Sequence, residues 1–473
     1  MLDWLTLPVS LPLWLLVLGG LLAAWAMLAS IMLPSVRWWF AARASRVLDD
    51  VGARLNIEVR PFQQTRRQAL IDLVTYDAKV QDAAAAYARD KQLPRELVTA
   101  RIRGYAREIV PAFNAYLYFR LGYFLSRSIA QSLYRVRLGY ADSAALSRIA
   151  KNSTVVFVMN HRSNMDYILT AYLAADQAAL SFAVGEWARI WPLQQLIRSM
   201  GAYFVRRNSH DDLYRRVLER YIAMATANGV TQAVYPEGGL TRDGLLREPR
   251  LGVLDYMLRG FDPAGERDIV FIPLGINYDR VLEDRTLMLS HDTDSIRPGI
   301  MGATWNTLAF VQRQVRLMLR SRWNRFGYAC VNFGAPISMR DYLATRQLDF
   351  RKLDRDARFS RISDLGRDLM SKVGKLVPVL PVPLVASVFT TAPERSISEL
   401  ELKAEIERLI VGISARGGRI YVPRRDWDYA IGAGLEMLVL RHLVIEEDGL
   451  YRAVAEELPL LRYYANSIAH LLH

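Results

Sequence analysis

Cysteine is almost missing from this chain: Cys330 is the only one in 473 residues. Intrachain disulfides are excluded, and a cysteine-built zinc site has no material to form from. No H-E-x-x-H or comparable ligand spacing occurs, so no metal is expected. No G-x-S-x-G elbow occurs either, and nothing in the pattern calls for a covalent serine intermediate. Internal repeats, low-complexity tracts and nucleic-acid module signatures are all lacking. A phosphate-binding P-loop is ruled out as well. Gly239 and Gly244 have the required gap, but Leu245 and Leu246 stand where Lys and Ser or Thr are needed.

What is present is an excess of cationic side chains. Lys and Arg number 61 against 48 Asp and Glu, a formal charge of +13. Such a surplus suits an anionic partner: a membrane surface, a phosphorylated substrate or nucleic acid. The arginines are dispersed rather than gathered into a tract, which argues against nucleic acid. Hydrophobic residues make up 52% of the chain and charged residues 23%. That balance fits a globular protein with membrane-seeking parts better than a multi-span transporter. Charge is absent from Trp4 to Val36, 33 residues in all, more than the roughly 20 that span a bilayer as a helix. Pro8, Pro12 and Pro34 trim the expected helix to Leu13–Leu33. Arg37, Arg43 and Arg46 follow it while only Asp3 precedes it, so the bulk of the chain is expected on the cytoplasmic face of a cell membrane. A cleaved signal peptide is the competing reading, opposed by the length of the run and the lack of a basic start.

Residues 1–44 therefore read as a membrane anchor, and 45–138 as a helical, partly membrane-interfacial region. Within the latter, 113–135 wound as one helix would bring Arg120, Arg127 and Arg135 to neighbouring directions among aromatics. Such a helix either lies in an interface or packs on a domain as an ordinary amphipathic element. From 139 to 395, strand-like runs alternate with helical ones: Thr154–Met159, Ser181–Val184, Ala202–Val205, Gln232–Tyr235, Asp268–Asn277 and Gly327–Phe333. This alternation predicts an α/β sandwich. A helix is expected after Ser209, its candidate N-cap, with Leu213, Val217, Tyr221 and Ala225 as the apolar stripe and Gly229 as the stop. The proline-punctuated run 377–383 marks a boundary, and 396–473 read as a helical C-terminal subdomain.

Four blocks carry the chemistry. After the strand 154–159 comes Asn160-His161-Arg162-Ser163-Asn164-Met165-Asp166, at the carboxyl end of a strand where open α/β sheets bind ligands. On one continuous helix His161 and Asp166 would diverge by about 140°. On a strand-to-helix turn they can meet, and a carboxylate fixing an imidazole tautomer makes a general base. Alone the pair is a weak signal, since Ser163 or Asn164 could cap a helix with Asp166 a first-turn charge. The second block, Gly201-Ala-Tyr-Phe-Val-Arg206-Arg207, ends a strand in two guanidinium forks suited to phosphate. The third runs from Tyr235 through Glu237-Gly238-Gly239-Leu240-Thr241-Arg242 to Gly244, a glycine-rich turn whose N–H groups can face an oxyanion. The fourth is Ile272-Pro273-Leu274-Gly275-Ile276-Asn277-Tyr278-Asp279.

In this order the blocks resemble the four motifs of the glycerolipid acyltransferase superfamily, most of all its membrane-bound glycerol-3-phosphate 1-O-acyltransferases. Tyr328–Ile337, Val382–Ala386 and the ending Tyr463–Leu472 add to the resemblance. It implies an acyltransferase-type α/β sandwich that moves a fatty acyl group from acyl-CoA or acyl-ACP to the sn-1 hydroxyl of glycerol 3-phosphate, with no further cofactor. His161 and Asp166 would be catalytic. Arg206, Arg207, Glu237, Gly238, Gly239, Thr241, Arg242 and Pro273 would bind substrate, and anionic membrane lipids would surround the enzyme. Leu240 and Leu245 stand where similar members often carry arginine, so two phosphate-seeking cations are missing. A lysophosphatidate or dihydroxyacetone-phosphate acyltransferase, or a non-catalytic membrane scaffold, are the alternatives.

Overall fold

The structure, a computed structural model, describes residues 60–114, 117–174, 180–185, 193–206, 209–292 and 326–472. The anchor expected over 1–44 lies outside the described residues, as does Arg207. Among the described residues no helix is long and apolar enough to cross a membrane. Residues from Val59 onward form one compact unit, mixed α/β with a largely parallel sheet.

The sheet is built from β1 (Arg135–Ala141), β2 (Thr154–Met159), β3 (Ser181–Val184), β4 (Tyr203–Phe204), β5 (Gln232–Val234), β6 (Ile269–Tyr278), β7 (Tyr328–Phe333) and β8 (Ile337–Ser338). Their order is β1-β7-β6-β2-β5-β3-β4, with β8 pairing β6 from the side. From β6 across to β4 all pairs are parallel; β7 runs antiparallel to β6, and β1 lies parallel to β7. β2 and β6 sit centrally and are buried along their whole length, which is why they read as unbroken apolar runs. Side-chain alternation divides the two faces. Val156 and Val158 join a core with Val217 and Tyr221 of helix Asp212–Ala227 and Leu369 of helix Arg355–Leu376. Met159 turns to the opposite face, where Thr170 of helix Met165–Ala174 meets its sulfur at 3.5 Å.

Three expectations need correction. Arg135 does not continue a basic helix. A π-helical turn, Leu117–Gly122, leads into helix Tyr123–Leu133, and Arg135 opens β1 by pairing with Tyr328. The nominally helical stretch before 139 thus supplies the edge strand of the sheet. Ser209 is not the cap of helix Asp212–Ala227: Asp211 is, accepting the Tyr214 N–H at 3.1 Å. The expected stripe of Leu213, Val217, Tyr221 and Ala225 is buried as the spacing requires. Residues 396–473 are not purely helical either. They contain an antiparallel sheet of β9 (Ile397–Ser398), β10 (Val444–Glu447) and β11 (Leu450–Ala453). The run 377–383 is buried throughout, and Val379 bridges to Ile420.

Candidate active site

β2 ends at Met159, and the next residue replaces its ladder with a side chain. Asn160 exchanges two 2.8 Å hydrogen bonds with the Ile276 peptide of β6, so the chain can leave the sheet without orphaning those groups. The five residues that follow have every N–H assigned. The His161 N–H donates to Glu237 at 2.8 Å, and those of Arg162 and Ser163 donate to Asp166 at 2.7 and 3.1 Å. Asn164 N–H donates to Glu283 at 3.2 Å, and Met165 N–H to Ser163 Oγ at 3.0 Å. Ser163 Oγ in turn donates to Glu283 at 2.7 Å. Two buried carboxylates, Asp166 and Glu237, and the half-buried Glu283 thus hold one loop.

The His161 and Asp166 side chains meet, with Nδ1 and Oδ2 2.9 Å apart and both groups almost wholly buried. A carboxylate accepts only, so the imidazole proton sits on Nδ1 and Nε2 presents a lone pair. The ring stacks on Tyr235 at 4.2 Å, and the Tyr167 hydroxyl lies 3.4 Å from Nε2 and 3.3 Å from the Ala183 carbonyl. In front of it is a cavity of about 310 Å³. Its walls include His161, Arg206, Gly238, Gly239 and Arg250, with Val184, Val205, Leu218, Val234 and Leu254 supplying an apolar side. A polar reacting end beside an apolar wall is the arrangement an amphiphilic substrate requires.

The sequence-derived residues divide around this cavity. Gly238 and Gly239 line it, and the Gly238 N–H is spent on the Tyr235 carbonyl at 2.9 Å. Gly238 adopts φ +72°, and Arg250 lies where a side chain would project. Arg206 also lines it, yet its fork is already engaged: Nε and Nη2 donate to Glu108 at 2.9 and 2.6 Å, with Tyr105 and Tyr214 about the guanidinium. That pairing holds Arg206 above the usual arginine range. Glu237 lies beneath His161, and burial pushes its carboxyl up to about 7. Thr241 buttresses the turn, its Oγ1 meeting Asp243 at 3.0 Å and the Leu245 carbonyl at 2.9 Å. Arg242 is exposed and outside the cavity wall. Pro273 sits inside β6, opposite Val158. Sequence reasoning missed Arg250, Glu108 and Glu283, and placed Tyr278 in the fourth block without giving it a role. The last two belong to the polar run leaving β6, whose composition was the available signal. Among the described residues, no group of three His, Cys, Asp or Glu is placed to hold a metal ion.

The C-terminal segment completes the loop's surroundings. Arg162 donates through Nη1 to the Gly244 carbonyl at 2.5 Å and lies over the Tyr463 ring, 5.8 Å from its centroid. Gly244, at φ +86°, packs against the Tyr463 backbone so closely that no Cβ fits. Asn466 donates to the Asp243 carbonyl at 2.8 Å.

A family model described as "Acyltransferase" matches residues 143–277, and one described as "Glycerol-3-phosphate acyltransferase C-terminal region" matches residues 314–473. The two matches together support the glycerolipid acyltransferase family for this chain. Proteins named glycerol-3-phosphate acyltransferase are similar to it. That of Xanthomonas axonopodis pv. citri is 26% identical over 442 residues, 91% of this chain and 48% of the relative. That of Pseudoalteromonas atlantica is 26% identical over 422 residues, 86% and 50%. The chain thus spans about half the length of the curated relatives it matches. The crystal structure of the 1-acyl-sn-glycerophosphate acyltransferase PlsC from Thermotoga maritima is 16% identical, covers 54% of this chain and 79% of its own, and has a TM-score of 0.31. The two matched regions share the sheet, where β7 and β8 of the second pair with β6 of the first. They also meet at the site, where Tyr463 and Asn466 of the second press on the His161 loop and the glycine turn of the first.

Proposed function

We propose that this chain is a glycerol-3-phosphate 1-O-acyltransferase, transferring a fatty acyl group from acyl-CoA or acyl-ACP to the sn-1 hydroxyl and yielding lysophosphatidate. The observation that carries the reading is His161: Nδ1 is bound to a buried carboxylate, and the ring borders a cavity lined by both arginines and apolar side chains. The names of the relatives and the match to the C-terminal region supply the choice of acceptor.

In this scheme His161 Nε2 takes the hydroxyl proton as the acceptor oxygen bonds to the thioester carbonyl carbon. An alcohol holds its proton far above neutral pH, so little alkoxide exists without a base. Asp166 keeps the ring oriented and steadies the imidazolium. As the C–S bond breaks, the departing thiolate recovers the proton from the ring. The Gly239 amide is the candidate donor to the transient oxyanion. Arg206 and Arg250 border the space for the acceptor phosphate, and fixing it orients the hydroxyl. No cofactor beyond the acyl donor enters. The apolar run 4–36 belongs to the same reading as an anchor, with the catalytic unit on the cytoplasmic face of a membrane rich in anionic lipid.

Purified full-length protein in detergent, given acyl-CoA or acyl-ACP with glycerol 3-phosphate, dihydroxyacetone phosphate or lysophosphatidate in turn, tests the proposal. Thiol release that depends on glycerol 3-phosphate and yields lysophosphatidate supports it. Preference for either other acceptor, or no acceptor-dependent release, rejects it.

A further inference from the structure

β6 leaves the sheet beside the end of β2, and its last residue reaches the catalytic pair from behind. Tyr278 is 1% exposed, and its hydroxyl donates to Asp166 Oδ1 at 2.6 Å. The other carboxylate oxygen, Oδ2, takes the three remaining donors: His161 Nδ1–H and the Arg162 and Ser163 amides. One oxygen therefore serves the imidazole and the loop, and the other serves the phenol. Tyr134 backs the Tyr278 ring at 5.2 Å between centroids and is itself tied to the Arg280 carbonyl at 2.8 Å. Burial holds the Tyr278 hydroxyl well above the usual tyrosine range, so it remains a donor throughout the neutral pH region.

We propose that Tyr278 is a positioning residue of the His161–Asp166 pair: it fixes which carboxylate oxygen meets the imidazole and draws negative charge away from that oxygen. A carboxylate that accepts a hydrogen bond at Oδ1 is a weaker base at Oδ2, and it holds the Nδ1 proton less tightly. Removing the phenol hydroxyl returns charge to the imidazole side, so the histidine keeps its second proton to higher pH. Other titratable or charged groups face the pair. Tyr167 and Tyr235 pack on the ring, Glu237 holds the His161 amide, and Arg162 and Glu283 lie along the loop. Arg206, Arg215 and Arg250 border the cavity. Among the described residues none of these donates to Asp166 Oδ1. The inference rests on His161 acting as the base.

The test is Tyr278→Phe in the full chain, read by kcat, acceptor KM, the pH dependence of kcat/KM, and NMR titration of His161. The loss of one hydrogen bond to a charged group should lower kcat about tenfold with little change in acceptor KM. The acid limb and the His161 titration should both move up together, by about half a pH unit or more. A reduced active fraction with an unmoved titration overturns the inference, because that is the signature of a purely structural tyrosine. Should the variant fail to fold, difluorotyrosine placed at 278 keeps the ring and strengthens donation. The acid limb must then move down, and an unmoved limb is equally fatal. His161→Ala separates the two levels. Retained turnover in that variant discards the base and this inference with it. Lost turnover beside an unmoved Tyr278→Phe titration discards only the inference.

Discussion

The His161 loop persists without its histidine because its backbone is held by other residues. In His161→Ala, Asp166 still accepts from the Arg162 and Ser163 amides and from Tyr278, and Glu237 still takes the N–H at position 161. Turnover should therefore fall by the roughly 10²–10⁴-fold of general base catalysis while thermal stability and circular dichroism stay near wild type. Comparable activity in the variant would remove His161 from the mechanism. Arg206 requires a finer argument. Two of its donors are taken by Glu108, and its side chain is 36% exposed, so the pair adds little to stability. What the pair controls is how much positive charge an incoming phosphate meets. Glu108→Gln should lower the acceptor KM several-fold and Arg206→Ala should raise it, both read from initial rates against glycerol 3-phosphate. A rise in KM on Glu108→Gln would mean that the carboxylate holds the fork in place for the ligand rather than competing with it.

Helix Asp212–Ala227 carries Leu218 and Tyr214 into the cavity wall, and its start was legible only in part. The stripe of Leu213, Val217, Tyr221 and Ala225 follows from 3.6-residue spacing alone, whereas two acids and a serine compete to cap it. The choice of Asp211 is made from elsewhere in the chain: the Tyr105 hydroxyl, on helix Arg95–Ile109, donates to its other oxygen at 2.5 Å. Asp211→Ala should cost about 1–2 kcal/mol in urea unfolding, the weight of a lost cap, and Ser209→Ala only a few tenths. Equal costs would return the cap to the serine. The same contrast explains the rest of the sheet. β2 and β6 announce themselves as β-branched runs because both their faces are buried. β1 does not, because Arg135-Val-Arg-Leu-Gly-Tyr-Ala is half exposed and is made a strand by β7, nearly two hundred residues away in the chain. At the site, His161 and Asp166 are neighbours in sequence and were readable. Tyr278, Glu283, Glu108 and Arg250 reach it only through the topology.

Across the whole molecule, one loop gathers the buried Asp166 and Glu237 and the half-buried Glu283 into an acidic cluster, with the Arg162 guanidinium drawn to Gly244 and Tyr463 of the closing segments. Burial raises both Glu237 and Glu283, and just past the end of β6 it raises Asp279, to about 6. Global stability must then depend on pH in a particular direction. An unfolded glutamate releases its proton near 4.5, whereas Glu237 in the folded chain holds it to about 7. Between those values the unfolded state binds fewer protons than the folded one, so raising the pH favours unfolding. The contribution of the neutral Glu237 carboxyl is complete below about 4.5 and lost by the time the pH has passed about 7. Asp279 acts in the same sense between 3.8 and about 6. Glu237→Gln keeps an oxygen for the His161 N–H but cannot ionise, so it should flatten the decline in unfolding free energy across the upper part of that window. Urea titrations at fixed ionic strength, from about pH 5 to about pH 7.5, decide the matter: the variant must gain on the wild type as pH rises, and parallel curves would show that Glu237 is already ionised in the fold.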